Sequence, residues 1–377
     1  MINLVQDTIT PTNKIKVIGV GGAGGNATKR MVQYGLKGVE FYALNTDLQV
    51  LNSLPVPNKL VLGRESTRGL GAGAKPEVGE KAATEVRDEI EAILKDTDMV
   101  FITAGMGGGT GTGASPIIAE IAKNLGVLVV GVVTTPFGFE GQRKMSIAKK
   151  GMEKFVKSVD TMIVIPNQNL LKMVDKKTSI EDAFLLSDDI LRQGVQGISD
   201  IITIRGEVNV DFADVRTIME NKGGALMGLG VGHGENRGIE AVENAINSPL
   251  LENVSINGAN GVVLNITGGN DLTLFEIDEI ATVVKREVDE EATIIFGTVT
   301  DETMNDEVRV TVLATGFPQA DEVKQEIQPT KRTFHVYTGD DLDVPAVVRK
   351  RQMQNSVKVL VEEEDYDMPT FLRKRKI

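Results

Sequence analysis

The stretch from Met99 to Gly113, Met-Val-Phe-Ile-Thr-Ala-Gly-Met-Gly-Gly-Gly-Thr-Gly-Thr-Gly, restricts what this chain can fold into more than any other. Val100, Phe101 and Ile102 are a continuous apolar run of strand length, the pattern of a strand buried on both faces. Glycines at 105, 107, 108, 109, 111 and 113 then break it. Ala114-Ser-Pro-Ile-Ile-Ala-Glu-Ile-Ala122 reads as a helix, with Pro116 expected in its first turn, where no backbone donor is missed. A strand, a glycine turn and a helix N-terminus make a place for a phosphate. Backbone N–H groups point outward, the helix dipole favours an anion, and no side chain blocks close approach. Thr110 and Thr112 add hydroxyls. No lysine follows the glycines, so this is not a Walker A loop. Phosphate charge falls instead to backbone dipoles, hydroxyls and a Mg²⁺ ion.

The chain before this loop repeats the theme. Lys14 to Val20 is a strand that Gly21-Gly-Ala-Gly-Gly-Asn26 turns into a helix from Ala27. Gly19-x-Gly21-x-x-Gly24 alone matches the dinucleotide fingerprint, and Asp47 after the strand Val39–Leu44 suits a ribose. An NAD(P)-dependent oxidoreductase is therefore the alternative reading, although such a fold has no use for a second glycine loop. A third glycine turn, Thr67 to Pro76, precedes an amphipathic helix from Val78 to Leu94. The strand Gly126–Thr134, the loop Thr135 to Arg143, the helix Met145–Val156 and the strand Thr161–Pro166 follow. Strands alternating with helices give an α/β, doubly wound, mostly parallel sheet. Ligands sit at the carboxyl ends of such strands, so the glycine loops converge on one pocket.

Composition excludes several functions. The chain has 377 residues, enough for two domains, and no cysteine, so disulfides and thiolate metal sites are absent. Two histidines argue against zinc, and a net charge of −12 argues against nucleic acid as a dominant partner. No apolar run approaches the ~20 residues of a membrane span, and the first residues lack a signal-peptide pattern. A cytoplasmic location is expected.

Thr178 to Ile202 reads as one long helix with Ser179 as N-cap, and Gly194 and Gly197 imply close packing there. Asp188 lies on it. A carboxylate only accepts hydrogen bonds, and guanine offers two adjacent donors that adenine lacks, so one Asp can select GTP over ATP. The plain alternative is an exposed helical Asp. Phe184, one turn earlier, belongs either on the base or in the core, with core as the default.

These motifs closely resemble those of the tubulin/FtsZ superfamily, and in particular its bacterial division GTPases. Matching stretches are Gly19–Asn26, Asn45-Thr-Asp47, Arg68–Ala74, the loop at 105–113, Pro136–Gly141, Leu191–Ser199 and Asn209–Asp214. The resemblance implies a GTP-binding domain (14–177) after a flexible N-terminus (1–13), a central helix (178–203) and a smaller α+β assembly domain (204–317). It also implies head-to-tail protofilaments that sandwich the nucleotide and form a ring at mid-cell. The nucleotide would then meet Gly21, Gly22, Ala23, Gly24, Gly25, Asn26, Asn45, Asp47, Gly71, Ala72, Gly73, Gly107, Gly108, Gly109, Thr110, Gly111, Thr135, Asn167, Phe184 and Asp188. Glu140 carries over as a ribose contact. The family's arginine position after Glu-Gly holds Lys144 here, with Arg143 before it, so either cation is a candidate for the nucleotide.

Nothing in the glycine loops can activate water. Asp211 and Asp214, three apart at the start of the helix Ala213–Met219, read first as helix-capping residues. The resemblance gives them another role: with Asn209 they orient water, delivered from a neighbouring subunit, so that assembly completes the site.

Residues 222–317 change character, with strands at Gly223–Val231, Gly261–Thr267, Ala292–Val299 and Glu307–Ala314 and helices at Arg237–Asn247 and Thr273–Val288. Beyond Phe317 the chain turns polar, a composition expected of a disordered linker (318–363). The tail (364–377) resembles the family's peptide for membrane anchors and division regulators, with Asp367, Met368, Pro369, Phe371, Leu372 and Arg373 as its contacts. Asp341-Leu-Asp-Val-Pro-Ala-Val-Val-Arg-Lys-Arg351 repeats the phrase Asp365-Tyr-Asp-Met-Pro-Thr-Phe-Leu-Arg-Lys-Arg375, which points to two copies of one docking peptide.

Overall fold

The computed structural model describes residues 13–317, except 176, 205, 207, 209 and 252–255. Asn209, the linker, the tail and the repeated phrase therefore lie outside the described residues, as does nearly all of the N-terminal segment. The first half runs β1 (Ile15–Val20), α1 (Gly21–Gln33), β2 (Val39–Asn45), α2 (Leu48–Ser53), β3 (Asn58–Val61), α3 (Pro76–Glu85), α4 (Arg87–Leu94), β4 (Met99–Gly105), α5 (Thr110–Asn124), β5 (Leu128–Thr135), α6 (Gln142–Phe155) and β6 (Thr161–Pro166). Next come α7 (Asn167–Leu170), α8 (Ile180–Thr203), α9 (Phe212–Met219), β7 (Gly223–His233), α10 (Arg237–Ile246), β8 (Gly261–Gly268), α11 (Leu274–Glu287), β9 (Thr293–Thr300) and β10 (Glu307–Thr315).

All ten strands join one sheet in the order β3-β2-β1-β4-β5-β6-β7-β10-β8-β9. The pairs from β3 through β7 are parallel, as is β8 with β9, while β10 runs antiparallel to both its neighbours. The expected second layer of four strands is present, joined edge to edge to the first half by a short pairing, Thr161–Ile163 with Gly223–Ala225. Register aligns the carboxyl ends: Val20 sits opposite Ala104, and Ala104 opposite Val133. Helices α1 and α5 thus start side by side.

Apolar runs in β1, β4 and β5 are buried on both faces, as continuous patterning requires. Val17, Phe101 and Val130 pack with Met31, Leu191 and Val195 of α1 and α8. Ile18, Ile102 and Val129 pack with Ile90, Ile118 and Phe155 of α4, α5 and α6. Helix α8 begins at the expected cap, where the Ser179 hydroxyl accepts from the Asp182 N–H at 3.0 Å. Its two glycines are sites of close approach: a Cβ at Gly197 would lie 2.9 Å from Thr311 Cγ2, and one at Gly194 3.1 Å from Met227 Sδ.

Four local readings need correction. Helix α1 starts at Gly21, not Ala27, so the glycine run forms its first turns. Gly21 turns the chain at φ +73°, and a Cβ at Gly24 would stand 2.2 Å from the Thr103 carbonyl oxygen. Packing overrides the low helix propensity of glycine. Helix α5 likewise starts at Thr110, which makes Pro116 its seventh residue rather than part of its first turn. The helix Val78–Leu94 is two helices, broken at Val86 with φ −113° and ψ 30°. The short α2 and β3 went unread, being six and four residues long.

Candidate functional site

The chain crosses from strand to helix at the ends of β1 and β4, and the two crossings share one cavity of about 250 Å³. Gly22 and Ala23 line it from α1, and Gly107, Gly108, Gly109, Thr110 and Gly111 from the loop before and the start of α5. The glycines divide by task. Gly107 has φ +105°, and a Cβ there would meet Pro136 Cγ at 2.8 Å. Its N–H donates to Thr112 Oγ1 at 2.9 Å. Thr112 is buried, so its hydroxyl pins the loop and does not face a ligand, contrary to the expectation from sequence. A Cβ at Gly109 would meet Ala72 Cβ at 2.8 Å, so this loop rests on the third glycine turn. Gly22 and Gly108 are different: a Cβ at either would meet nothing within 4 Å. Backbone lies bare there beside two helix N-termini, the arrangement that receives phosphates.

The other end of the cavity comes from α7 and α8: Asn167, Phe184, Ser187 and Asp188. Ser187 Oγ donates to Asn167 Oδ1 at 2.8 Å, and both residues are buried. Burial pushes the Asp188 carboxyl up to about 7, against the lowering pull of Arg30 and Lys29. Among the described residues Asp188 has no hydrogen-bond partner, which suits a group waiting for donors. Phe184 is 40% exposed, so it is a wall of the cavity and not core. Its ring meets Phe137 edge-on at 5.3 Å, and Phe139 stacks on Phe137 at 5.1 Å. Phe139 itself is 60% exposed.

Thr135 and Glu140 close a third side. Glu140 accepts from the Phe137 N–H at 2.9 Å and from Lys144 Nζ at 3.0 Å. Of the two candidate cations, Lys144 lines the cavity and Arg143 does not. Lys is a compact point charge, so it offers no bidentate fork.

Several expected contacts lie just behind this surface. Gly21, Gly24 and Gly25 are packing positions, with a Cβ at Gly25 reaching Leu54 Cδ1 at 2.7 Å. Asn26 and Gly73 are exposed away from the lining. Asn45 Oδ1 accepts from the Asp47 N–H at 3.2 Å, and Asp47 caps α2 by accepting from Val50 at 3.0 Å. Gly71 donates to the Thr46 carbonyl at 3.1 Å. Thr46 and Thr110 share a hydroxyl contact of 2.6 Å, which ties that turn to the loop at Thr110. Asp211 and Asp214 do not line the cavity; both are exposed. Asp211 stands at the N-cap of α9, but its side chain makes no capping hydrogen bond. Sequence reasoning missed Ser187, Thr134, Met106 and Pro136 on the lining. Ser187 was the findable one, beside Asp188 and three residues from Phe184.

A parallel sheet with bare helix N-termini at its carboxyl edge, and a half-buried carboxylate across the gap, defines a nucleotide-binding α/β protein. The model of the tubulin/FtsZ family GTPase domain matches residues 14–175, and that of the FtsZ family C-terminal domain matches residues 223–318. FtsZ of M. jannaschii, solved as an empty dimer, is 45% identical over 81% of this chain and 88% of that one, with a TM-score of 0.78. The chain belongs to the tubulin/FtsZ family and carries its GTPase domain. Two Haloferax volcanii proteins share the fold: CetZ2, a GTPγS-bound protofilament (20% identity, TM-score 0.67, 81% of this chain and 94% of that one), and CetZ1, a GDP-bound monomer (23%, 0.70, 84% and 98%). The family assignment displaces the oxidoreductase reading. Among the described residues no helix is long and apolar enough to cross a membrane.

Proposed function

We propose that the chain binds GTP in this cavity and hydrolyses it once a second copy supplies the missing acids, in head-to-tail filaments that build the division ring. One observation carries the reading. The glycine end of the cavity has no carboxylate, whereas Asp211 and Asp214 stand exposed elsewhere with Asp211 idle as a cap. Two carboxylates facing a triphosphate in one chain would repel it. Brought from a neighbour, they orient water toward the γ-phosphate, and positioning is most of what this chemistry needs. Asn209 is assigned to the same water. Phe139 and Ile180, 60% and 68% exposed around the cavity mouth and the start of α8, give that neighbour an apolar footing.

Asp188 accepts from the guanine N1–H and 2-amino group, with Asn167 and Phe184 beside the ring, and Glu140 faces the ribose. The phosphates lie on Gly22 and Gly107–Gly111, with Lys144 as the nearby cation. A Mg²⁺ ion would sit against the phosphates, with the Thr110 hydroxyl, which lines the cavity, as its nearby protein oxygen. It neutralises phosphate charge when bound.

Past Phe317, the peptide at 364–377 docks on membrane-anchoring and regulatory partners, and residues 341–351 form a second copy that gives avidity. A peptide of 338–352 with no affinity for a partner that binds 363–377 ends that part of the proposal. For the catalytic part, at GTP concentrations too low to fill Gly108→Ala chains, Asp211→Ala chains mixed with them should turn over faster than either kind alone. No recovery under conditions where mixed filaments form contradicts it.

A further inference from the structure

Residues 223–317 carry sixteen acidic and four basic side chains, a net charge equal to that of the whole chain, −12. The rest of the chain is therefore neutral in sum, yet its positive charge is concentrated. Residues 142–157, α6 and its exit, hold six basic side chains and one acidic one, Glu153. The helix buries Ala148, Gly151 and Phe155, which fixes the opposite side as its outer face. Lys149, Lys150, Lys154 and Lys157 stand exposed there. Lys154 meets Glu80 at 3.3 Å, and among the described residues no carboxylate pairs with Lys149, Lys150 or Lys157.

A solvated charged face is the ordinary explanation of such a row. Here the same chain also carries its complement. Two of the four basic residues in 223–317 are already engaged: Arg237 by Asp271 and Glu276, and Arg309 by Glu307. The turn from α11 to β9 exposes Glu287, Asp289, Glu290 and Glu291. We propose that the outer face of α6 docks on the acidic second half of another copy of this chain, side to side between filaments. Another copy carries the same net −12, so local complementarity alone favours it, the α6 lysines against the copy's exposed Glu287, Asp289, Glu290 and Glu291. Each exposed ion pair contributes little alone. Repeated along two filaments, such pairs add. They are also screened by salt, the Debye length being ~10 Å at 0.1 M.

The inference rests on the reading that the chain assembles, and the test separates the two. Full-length chains, half of them ¹⁵N-labelled, are mixed with GTP and treated with a carbodiimide, which joins only touching lysines and carboxylates. Labelled-to-unlabelled peptides should join Lys149, Lys150 or Lys157 to acids within 223–317, and fall at least tenfold in 0.5 M salt. Lys149→Glu/Lys150→Glu/Lys157→Glu chains mixed with Glu287→Lys/Asp289→Lys/Glu290→Lys/Glu291→Lys chains should form the reversed links, from the new lysines at 287–291 to the new glutamates on α6, at least tenfold above the level in 0.5 M salt. Links confined to one copy, links that avoid 223–317, or no links overturn the proposal. Sedimentation of filaments in 0.5 M salt tests assembly separately, since these lysines are outside the nucleotide site.

Discussion

Two acidic regions of this molecule are built in opposite ways. Asp188 sits half-buried in a wall of the cavity, with Ser187 and Asn167 ordered beside it and its proton held up to about pH 7. Asp211 and Asp214 sit on an exposed helix start, with Asp211 making no capping bond. The first lines the cavity together with its neighbours within one chain. The second makes no capping side-chain bond at Asp211 and stays outside the cavity. On the proposed reading, the contrast makes nucleotide choice a property of the folded protomer and cleavage a property of the contact between two.

Mutations sharpen this contrast. Asp211→Ala should have the largest effect: turnover in filaments falls about 100-fold or more, ~2.7 kcal/mol of barrier, with GTP affinity within about twofold. Phosphate release beside equilibrium binding checks it; equal loss in both would place Asp211 at the nucleotide of its own chain. Gly108→Ala should fold normally, since the added Cβ meets nothing, yet weaken nucleotide binding about tenfold or more by standing where phosphate approaches, ~1.4 kcal/mol. Gly109→Ala, by contrast, should lower the melting temperature, because its Cβ strikes Ala72 and the Lys75 backbone at 2.8 Å.

Asp188 makes a pH prediction whose sign can be worked out. Its folded value, about 7, lies above the ordinary aspartate value of 3.8. The stability it contributes is thus complete below 3.8 and is lost as pH rises to about 7. Asp188→Asn should therefore melt higher than the parent at pH 8, with the gap closing toward acid. Guanine needs the carboxylate, so parental affinity should fall as pH drops below about 7, and the variant should bind weakly without that extra dependence. The smallest effect is Ser187→Ala, which frees Asn167 and should weaken binding about fivefold, ~1 kcal/mol. A calorimetric titration reads both.

Much of this was legible in the sequence because it rests on backbone. Alternating strands and helices, and glycines at the strand ends, dictate a sheet and its ligand edge. What a glycine does was less legible. Gly24 and Gly109 exist for packing, Gly22 and Gly108 for bare backbone, and only neighbours distant in sequence distinguish them. Thr112 looked like a ligand hydroxyl and is a loop pin, because helix α5 starts earlier than Pro116 implied. Asp47 looked like a ribose acid and caps α2, a helix too short to show periodicity. Phe184 at helical spacing read as core, yet it faces a cavity that the apolar pattern cannot reveal. Lys144 rather than Arg143 lines that cavity because the start of α6 turns it inward, a matter of helix phase.

The central claim is that one protomer holds a triphosphate it cannot cleave. Phosphate release per chain, measured with saturating GTP across dilutions that span assembly, tests it most directly. The account predicts turnover near zero in dilute solution, rising steeply once filaments sediment. Turnover per chain that stays constant down to strictly monomeric protein would contradict it.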